Sequence, residues 1–326
     1  MQFDWQTELA QSYRNPTELL AALELTPEQV CLPTEPVGGF PFRVTRAYAS
    51  RMKMRDPRDP LLLQVLPQLA ELDTVAGFNT DPVGDLQALT APGLLHKYVG
   101  RALLVSTGAC AIHCRYCFRR NFPYDTQQLA RSRESVALTA IADDPSVHEV
   151  ILSGGDPLVL ADDRLAELIS SLAAIPHVRR LRIHSRLPVV LPSRVHAGLL
   201  ELLSASGLQI VLVIHANHPN EIDASVRRGL SRVKRHGFTV LNQAVLLKDI
   251  NDNAETLAAL SEALFDAGAL PYYLHLLDKA QGTAHFDVDE IAARLIMAAL
   301  RGQLPGYLVP RLVREVAGQP YKLPID

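Results

Sequence analysis

The sequence predicts an α/β fold organised on a parallel sheet, and three observations lead there. Six short apolar runs recur between Arg101 and about Arg301: RALLVST, HEVILSGGD, VRRLRIHSR, LQIVLVIHA, FTVLNQAVLL and PYYLHLLD. Each is separated from the next by a helix-length amphipathic segment, such as DDRLAELISSLAAI. A hydrophobic content of 48% over 326 residues is enough to bury a large core. Strand and helix periods that alternate in this way require crossovers between parallel neighbours. The helices therefore cover the sheet, as a barrel-like array or as an open doubly wound sheet.

In chain order the elements fall into three regions. Residues 1–97 are expected to be helices joined by proline-rich loops. NPTELLAALEL has Asn15 as a cap, Pro16 in the first turn and Glu18 at the head of an apolar face. CLPTEPVGGFPF cannot be regular structure. Residues 98–301 carry the βα units, and residues 302–326 return to chain punctuated by proline and glycine. No repeat exists beyond the βα rhythm, and no low-complexity segment. A net charge of −3 argues against a nonspecific nucleic-acid coat. The N-terminal MQFDWQTELAQ lacks the apolar core of a signal peptide, and the run from Ile210 to Ile214 is too short to span a bilayer. A cytoplasmic protein with neither nucleic acid nor membrane as partner is expected, where thiols stay reduced and clustered cysteines serve metals.

Active sites of barrel-type α/β folds form at the C-terminal ends of the strands. Here those ends are polar: Thr107 ahead of the cysteines, Ser153-Gly154-Gly155-Asp156, His184-Ser185-Arg186, His215 with His218, Asn242-Gln243, and Asp278-Lys279. Six polar ends together point to one site. Cys110, Cys114 and Cys117 form CxxxCxxC, a spacing at which thiolates converge on a soft metal centre. Structural zinc would want a fourth ligand, and His113 would have to fold back to serve. Three thiolates on a [4Fe-4S] cube leave one iron open to a substrate. Cys31 stands alone and is expected to be a small buried residue.

With these motifs the sequence resembles the radical S-adenosylmethionine enzymes, and among them the lysine 2,3-aminomutases, most closely in their short bacterial form. The similarity runs from about His96 to Lys322 through CRYCFRR, ILSGGDPL, RIHSRLPVVLPSRV, HANHPNEI, LNQAVLLKDIND and YYLHLLD. It implies a partial (β/α)6 TIM-like barrel with an N-terminal helical extension and a short C-terminal segment. It also implies that Cys110, Cys114 and Cys117 hold a [4Fe-4S] cluster whose open iron chelates S-adenosylmethionine. Ser153, Gly154, Gly155 and Asp156 would lie at the methionine end of that cofactor, with His215 and one of Asn242 and Gln243 as further contacts. Lys322, in AGQPYKLPID, maps to the lysine that carries pyridoxal 5′-phosphate, with Arg101, Tyr98, Lys97 and Arg186 as contacts to it.

The resemblance also implies a substrate. Arg119 would take the carboxylate of L-lysine, and Asp278 and Glu315 its ε-ammonium, Glu315 standing where longer relatives carry aspartate. The implied isomerase converts L-α-lysine to (R)-β-lysine, supplied to a ligase that modifies elongation factor P, and draws electrons from a donor such as flavodoxin or ferredoxin. No oligomeric state is implied. Two other readings stand beside it: a radical aminomutase acting on another amino acid, and an iron–sulfur electron-transfer protein. The latter would want a fourth cysteine and has no use for Arg119, Asp278 and Lys322.

Overall fold

The structure, a computed structural model, describes residues 4–33, 40–129 and 131–325. Ten strands form one sheet in chain order. They are β1 (Leu89–Ala91), β2 (Leu94–Tyr98), β3 (Arg101–Thr107), β4 (Glu149–Gly154), β5 (Arg180–Ser185), β6 (Gln209–Ile214), β7 (Thr239–Val245), β8 (Leu270–His275), β9 (Arg311–Arg314) and β10 (Leu323–Pro324). Strands β3 to β9 are parallel. An antiparallel hairpin, β1 and β2, flanks β3, and β10 runs antiparallel to β9. Among the described residues the two edges do not pair, so the sheet is a partial barrel with six βα units in β3 to β8.

All six predicted runs are strands, and the segments between them are helical. The helix Asp162–Ala173 buries Leu165, Leu168, Ile169 and Leu172, the stripe a 3.6-residue period puts on one side. That stripe packs on a sheet whose strand β4 is buried from Val150 to Gly154, as expected when both faces are covered. Near the N-terminus, Asn15 caps the helix Pro16–Ala22 by accepting from the Thr17 N–H at 2.9 Å. Leu19, Leu20 and Leu61 from this region join the same core as Leu152, Leu181 and Leu212 of the sheet.

Three expectations change. Residues 89–98, read as helix or loop, form the β1–β2 hairpin, which turns at Gly93 with φ of +78°. The tail adds β9 and β10 where irregular chain was expected, so the sheet is mixed at its edges. These strands are too short to display an alternation, and their partners are distant in sequence. Cys31 is exposed, in a left-handed conformation at the end of a short 3-10 turn. Residues 34–39, the centre of the expected irregular stretch, lie outside the described residues.

The N-terminal region clamps the loop after β3. The Gln64 carbonyl accepts from the Arg115 N–H at 2.9 Å, and the Arg43 carbonyl from the His113 N–H at 3.0 Å. Glu71, its side chain fully buried, pairs with Arg115 at 2.5 Å and with Arg120 at 2.7 Å. Removing one partner of such a pair leaves uncompensated buried charge. Glu71→Gln is expected to cost about 3–5 kcal/mol of unfolding free energy in urea denaturation. Glu24→Gln, at the exposed pair with Arg55, should leave it nearly unchanged.

Candidate active site

The C-terminal strand ends and the loop after β3 surround a cavity of about 400 Å³. One wall is the cysteine loop, which lies unusually close to the end of β4. A Cβ on Gly155 would sit 2.4 Å from the Ala109 carbonyl oxygen, and one on Gly154, at φ of +125°, 2.5 Å from that of Thr107. Only glycine fits at either position. The Gly155 N–H donates to the Thr107 carbonyl at 2.7 Å and the Asp156 N–H to that of Ala109 at 2.8 Å. These residues, expected to approach a ligand, therefore seat the cysteine loop, although Ser153, Gly154, Gly155 and Asp156 all line the cavity.

Asp156 differs from its expected role. Its carboxylate accepts from the Ser185 hydroxyl at 2.7 Å and from the N–H groups of Arg186, Leu187 and Leu158 at 2.8, 3.1 and 3.1 Å. The side chain ties β4 to β5. Burial outweighs these hydrogen bonds and pushes the carboxyl up to about 6.

Cys110, Cys114 and Cys117 all line the cavity. Burial, and then repulsion from Cys117, pushes the Cys110 thiol well up, and burial with the Cys114 charge pushes Cys117 to about 11. Three thiols on one wall are the soft donors that an iron–sulfur centre takes. Among the described residues no three acidic, His or Cys side chains meet at one ion's position.

The opposite wall is a ladder of alternating charge. Antiparallel pairing of β9 with β10 sets Leu323 opposite Arg314, which brings Lys322 to an ion pair with Glu315. Glu315 also meets Lys97 at 2.9 Å, Lys97 meets Asp85 at 2.5 Å, and Asp85 meets Arg119 Nε at 2.6 Å. Arg119 Nη1 then donates to the Ser153 hydroxyl at 3.0 Å, which joins the ladder to the cysteine wall. Burial alone would push Glu315 up, but Lys322 and Lys97 hold its carboxyl at about 2. Asp278 lines the cavity half-buried, and desolvation with the neighbouring Glu315 charge pushes it up to about 7. Arg101 stacks over the Tyr98 ring at 4.6 Å on the same wall.

Several predicted contacts move. Lys97, expected at pyridoxal phosphate, lines the cavity but gives its protons to Asp85, Glu315 and the Val83 carbonyl. Arg186, expected there too, lies instead on the cysteine wall, where its Nη1 donates to Cys114 Sγ at 2.7 Å. Asn242 is pinned between β6 and β7, accepting from the Ala216 N–H at 2.9 Å and donating to the Ala216 carbonyl at 3.1 Å. Its neighbour Gln243 lines the cavity, as strand alternation requires of one of the pair. His215 lines it as well, whereas His218 caps the short turn Pro219–Glu221.

Asp85, His184 and His275 have no assigned role in the sequence. Asp85 orders both Lys97 and Arg119, yet DPVGD reads locally as a plain turn. His184, His215 and His275 each carry a buried Nε2 without a partner and line the cavity. Burial holds His215 at about 4 and the other two well below the usual range, so all three are neutral imidazoles. Orphaned buried polar atoms are rare and costly. Facing a cavity, they fit a bound group that supplies the missing partners.

Comparison with known proteins agrees with this arrangement. Residues 104–260 match the Radical SAM superfamily. The L-lysine 2,3-aminomutase of Escherichia coli (strain K12) is 50% identical over 324 residues, 99% of this chain and 94% of that one. That of Haemophilus influenzae is 44% identical over 319 residues, 98% of this chain and 94% of its own. That of Clostridium subterminale is 33% identical over 323 residues, 99% of this chain but 77% of its own. The likeness spans both walls of the cavity, and the chain belongs to the lysine 2,3-aminomutase family of the radical S-adenosylmethionine superfamily.

Proposed function

We propose that this chain is an isomerase that moves the α-amino group of L-lysine to the β-carbon, giving (R)-β-lysine. The observation that carries the reading is that the three cysteines, Arg119, Asp278 and Lys322 line one cavity. A [4Fe-4S] cluster on Cys110, Cys114 and Cys117, with S-adenosylmethionine at its open iron, supplies a 5′-deoxyadenosyl radical when bound. Pyridoxal 5′-phosphate on Lys322 supplies a carrier for the migrating nitrogen, and Arg101 with Tyr98 offers it a cation and an aromatic face.

The remaining roles follow from the chain's own residues. Asp85 and Ser153 orient Arg119 so that its planar guanidinium can take the substrate carboxylate. Asp278 takes the ε-ammonium, which favours its ionised form. When Lys322 carries the cofactor its ammonium is withdrawn from Glu315, which is left with Lys97 and can join Asp278. A cation site at one end and an acid site at the other select an amino acid with a distant second ammonium.

The chain covers nearly the full length of the Escherichia coli and Haemophilus influenzae relatives but 77% of the clostridial one. Part of the same proposal is supply of (R)-β-lysine to the ligase acting on elongation factor P, in the cytoplasm with a flavodoxin or ferredoxin as donor. An unchanged mass of elongation factor P in cells lacking the chain would count against that role.

Anaerobic incubation of the iron-reconstituted protein with dithionite, S-adenosylmethionine, pyridoxal phosphate and L-lysine should yield β-lysine on chiral chromatography while S-adenosylmethionine persists. Accumulation of 5′-deoxyadenosine alone would remove the lysine assignment. In the Lys322→Ala variant, β-lysine should be absent, and borohydride should leave no phosphopyridoxyl group on the C-terminal peptide. The pH profile tests Asp278. Below about 7 this acid is protonated and cannot pair with an ammonium. The KM for L-lysine should therefore fall as pH rises, by roughly tenfold per unit, and level off above about 7. Asp278→Asn should raise KM and flatten that slope; an unchanged slope would take the ammonium away from Asp278.

A further inference from the structure

We infer that Arg186 sets the reduction potential of the iron–sulfur cluster through its hydrogen bond to Cys114, an inference that rests on the cluster reading above. Arg186 is 5% exposed, and both terminal nitrogens of its guanidinium are held, while its Nε is buried without a partner. Nη1 donates to Cys114 Sγ at 2.7 Å. Nη2 donates to Gln64 Oε1 at 2.7 Å, to Glu221 Oε2 at 3.0 Å and to the Tyr48 hydroxyl at 3.2 Å. The plane lies near the Tyr48 and Tyr116 rings, 5.3 and 5.7 Å from their centroids.

The anchors are themselves held. Glu221 Oε1 accepts from the N–H groups of Asn217 and His218 at 2.9 and 3.2 Å and from Gln64 Nε2 at 3.2 Å. Tyr116 accepts from Asn217 Nδ2 at 2.7 Å. Arg186 therefore cannot turn away from the thiol without breaking a buried network. Neutralising Glu221 requires one side of the fork alone, yet the other side is aimed at the sulfur.

The electrostatic consequence concerns one electron. Reduction passes an electron from an external one-electron donor to the cluster, makes and breaks no bond, and adds one negative charge. A fixed cation hydrogen-bonded to a ligating sulfur stabilises that added charge, and the low local dielectric strengthens the effect. Arg186 thus makes the cluster easier to reduce. Because Tyr48 and Gln64 precede the barrel, this side chain adds a link from the N-terminal region to a ligating sulfur.

The test uses the anaerobically reconstituted full chain, poised at a series of potentials with dithionite and mediators. Iron content and the electron paramagnetic resonance signal of the reduced cluster are read for wild type, Arg186→Gln and Arg186→Lys. At the potential where the wild type is half reduced, Arg186→Gln should show a reduced-to-oxidised ratio roughly tenfold lower, because the charge-assisted hydrogen bond holds the reduced cluster more tightly than the oxidised one. Arg186→Lys keeps the charge but is too short to serve both sides of the fork, and should shift the same way by less. An unchanged potential in an iron-loaded Arg186→Gln would make Arg186 a structural post and overturn the inference. If that variant does not fold or take up iron, an unchanged potential in Arg186→Lys overturns it. A wild type that assembles no cluster would instead overturn the reading on which the inference rests.

Discussion

The close approach between the cysteine loop and the end of β4 is the constraint on which the site depends. The loop has no regular structure to hold it, so its backbone groups need partners elsewhere. From below, Gly154 and Gly155 let the Thr107 and Ala109 carbonyls come within hydrogen-bonding distance of the strand end. From the other side, the N-terminal region supplies the Gln64 and Arg43 carbonyls and the buried carboxylate of Glu71. A side chain at either glycine would lift the loop by more than the tolerance of a metal centre. The same two residues that resemble a turn signal thus determine where the three thiols stand.

The two walls of the cavity have different electrostatic needs. The cysteine wall holds Cys110 and Cys117 against ionisation by burial, with Arg186 as the positive charge placed at Cys114. The facing wall is already balanced, from Lys322 through Glu315, Lys97 and Asp85 to Arg119. Balance explains how five charged side chains can crowd together, Asp85 and Arg119 buried and the other three partly so, since each has an opposite neighbour. It also ties cofactor attachment to substrate recognition, because the lysine proposed to carry pyridoxal phosphate is the partner of an acid proposed to hold the substrate. Asp278 stands outside the ladder, and desolvation with the neighbouring Glu315 charge raises its carboxyl.

Much of this was legible in the sequence where a period carries information. The six strands and the polar residues at their ends follow from alternation, and strand parity explains why one of Asn242 and Gln243 faces inward. Direction around the barrel is not carried by a strand-end position, which is why Arg186 falls on the cysteine wall rather than beside Lys322. The β1–β2 hairpin and β9 were hidden because short edge strands take their pairing from partners far along the chain. Asp85 had no local signal at all. Its role exists only because the fold brings Lys97 and Arg119 to it. His275 was visible within YYLHLLD, but its unpaired Nε2 becomes evident only once the cavity is formed.

The central claim is that one cavity between the cysteine loop and Lys322 is the chamber in which lysine is held. An anaerobic crystal structure of the reconstituted protein with S-adenosylmethionine, pyridoxal phosphate and L-lysine tests it most directly. The account predicts that the cluster sits on Cys110, Cys114 and Cys117, with the lysine carboxylate on Arg119 and its ε-ammonium on Asp278. Lysine bound elsewhere, or bound here with its two ends reversed, would contradict it.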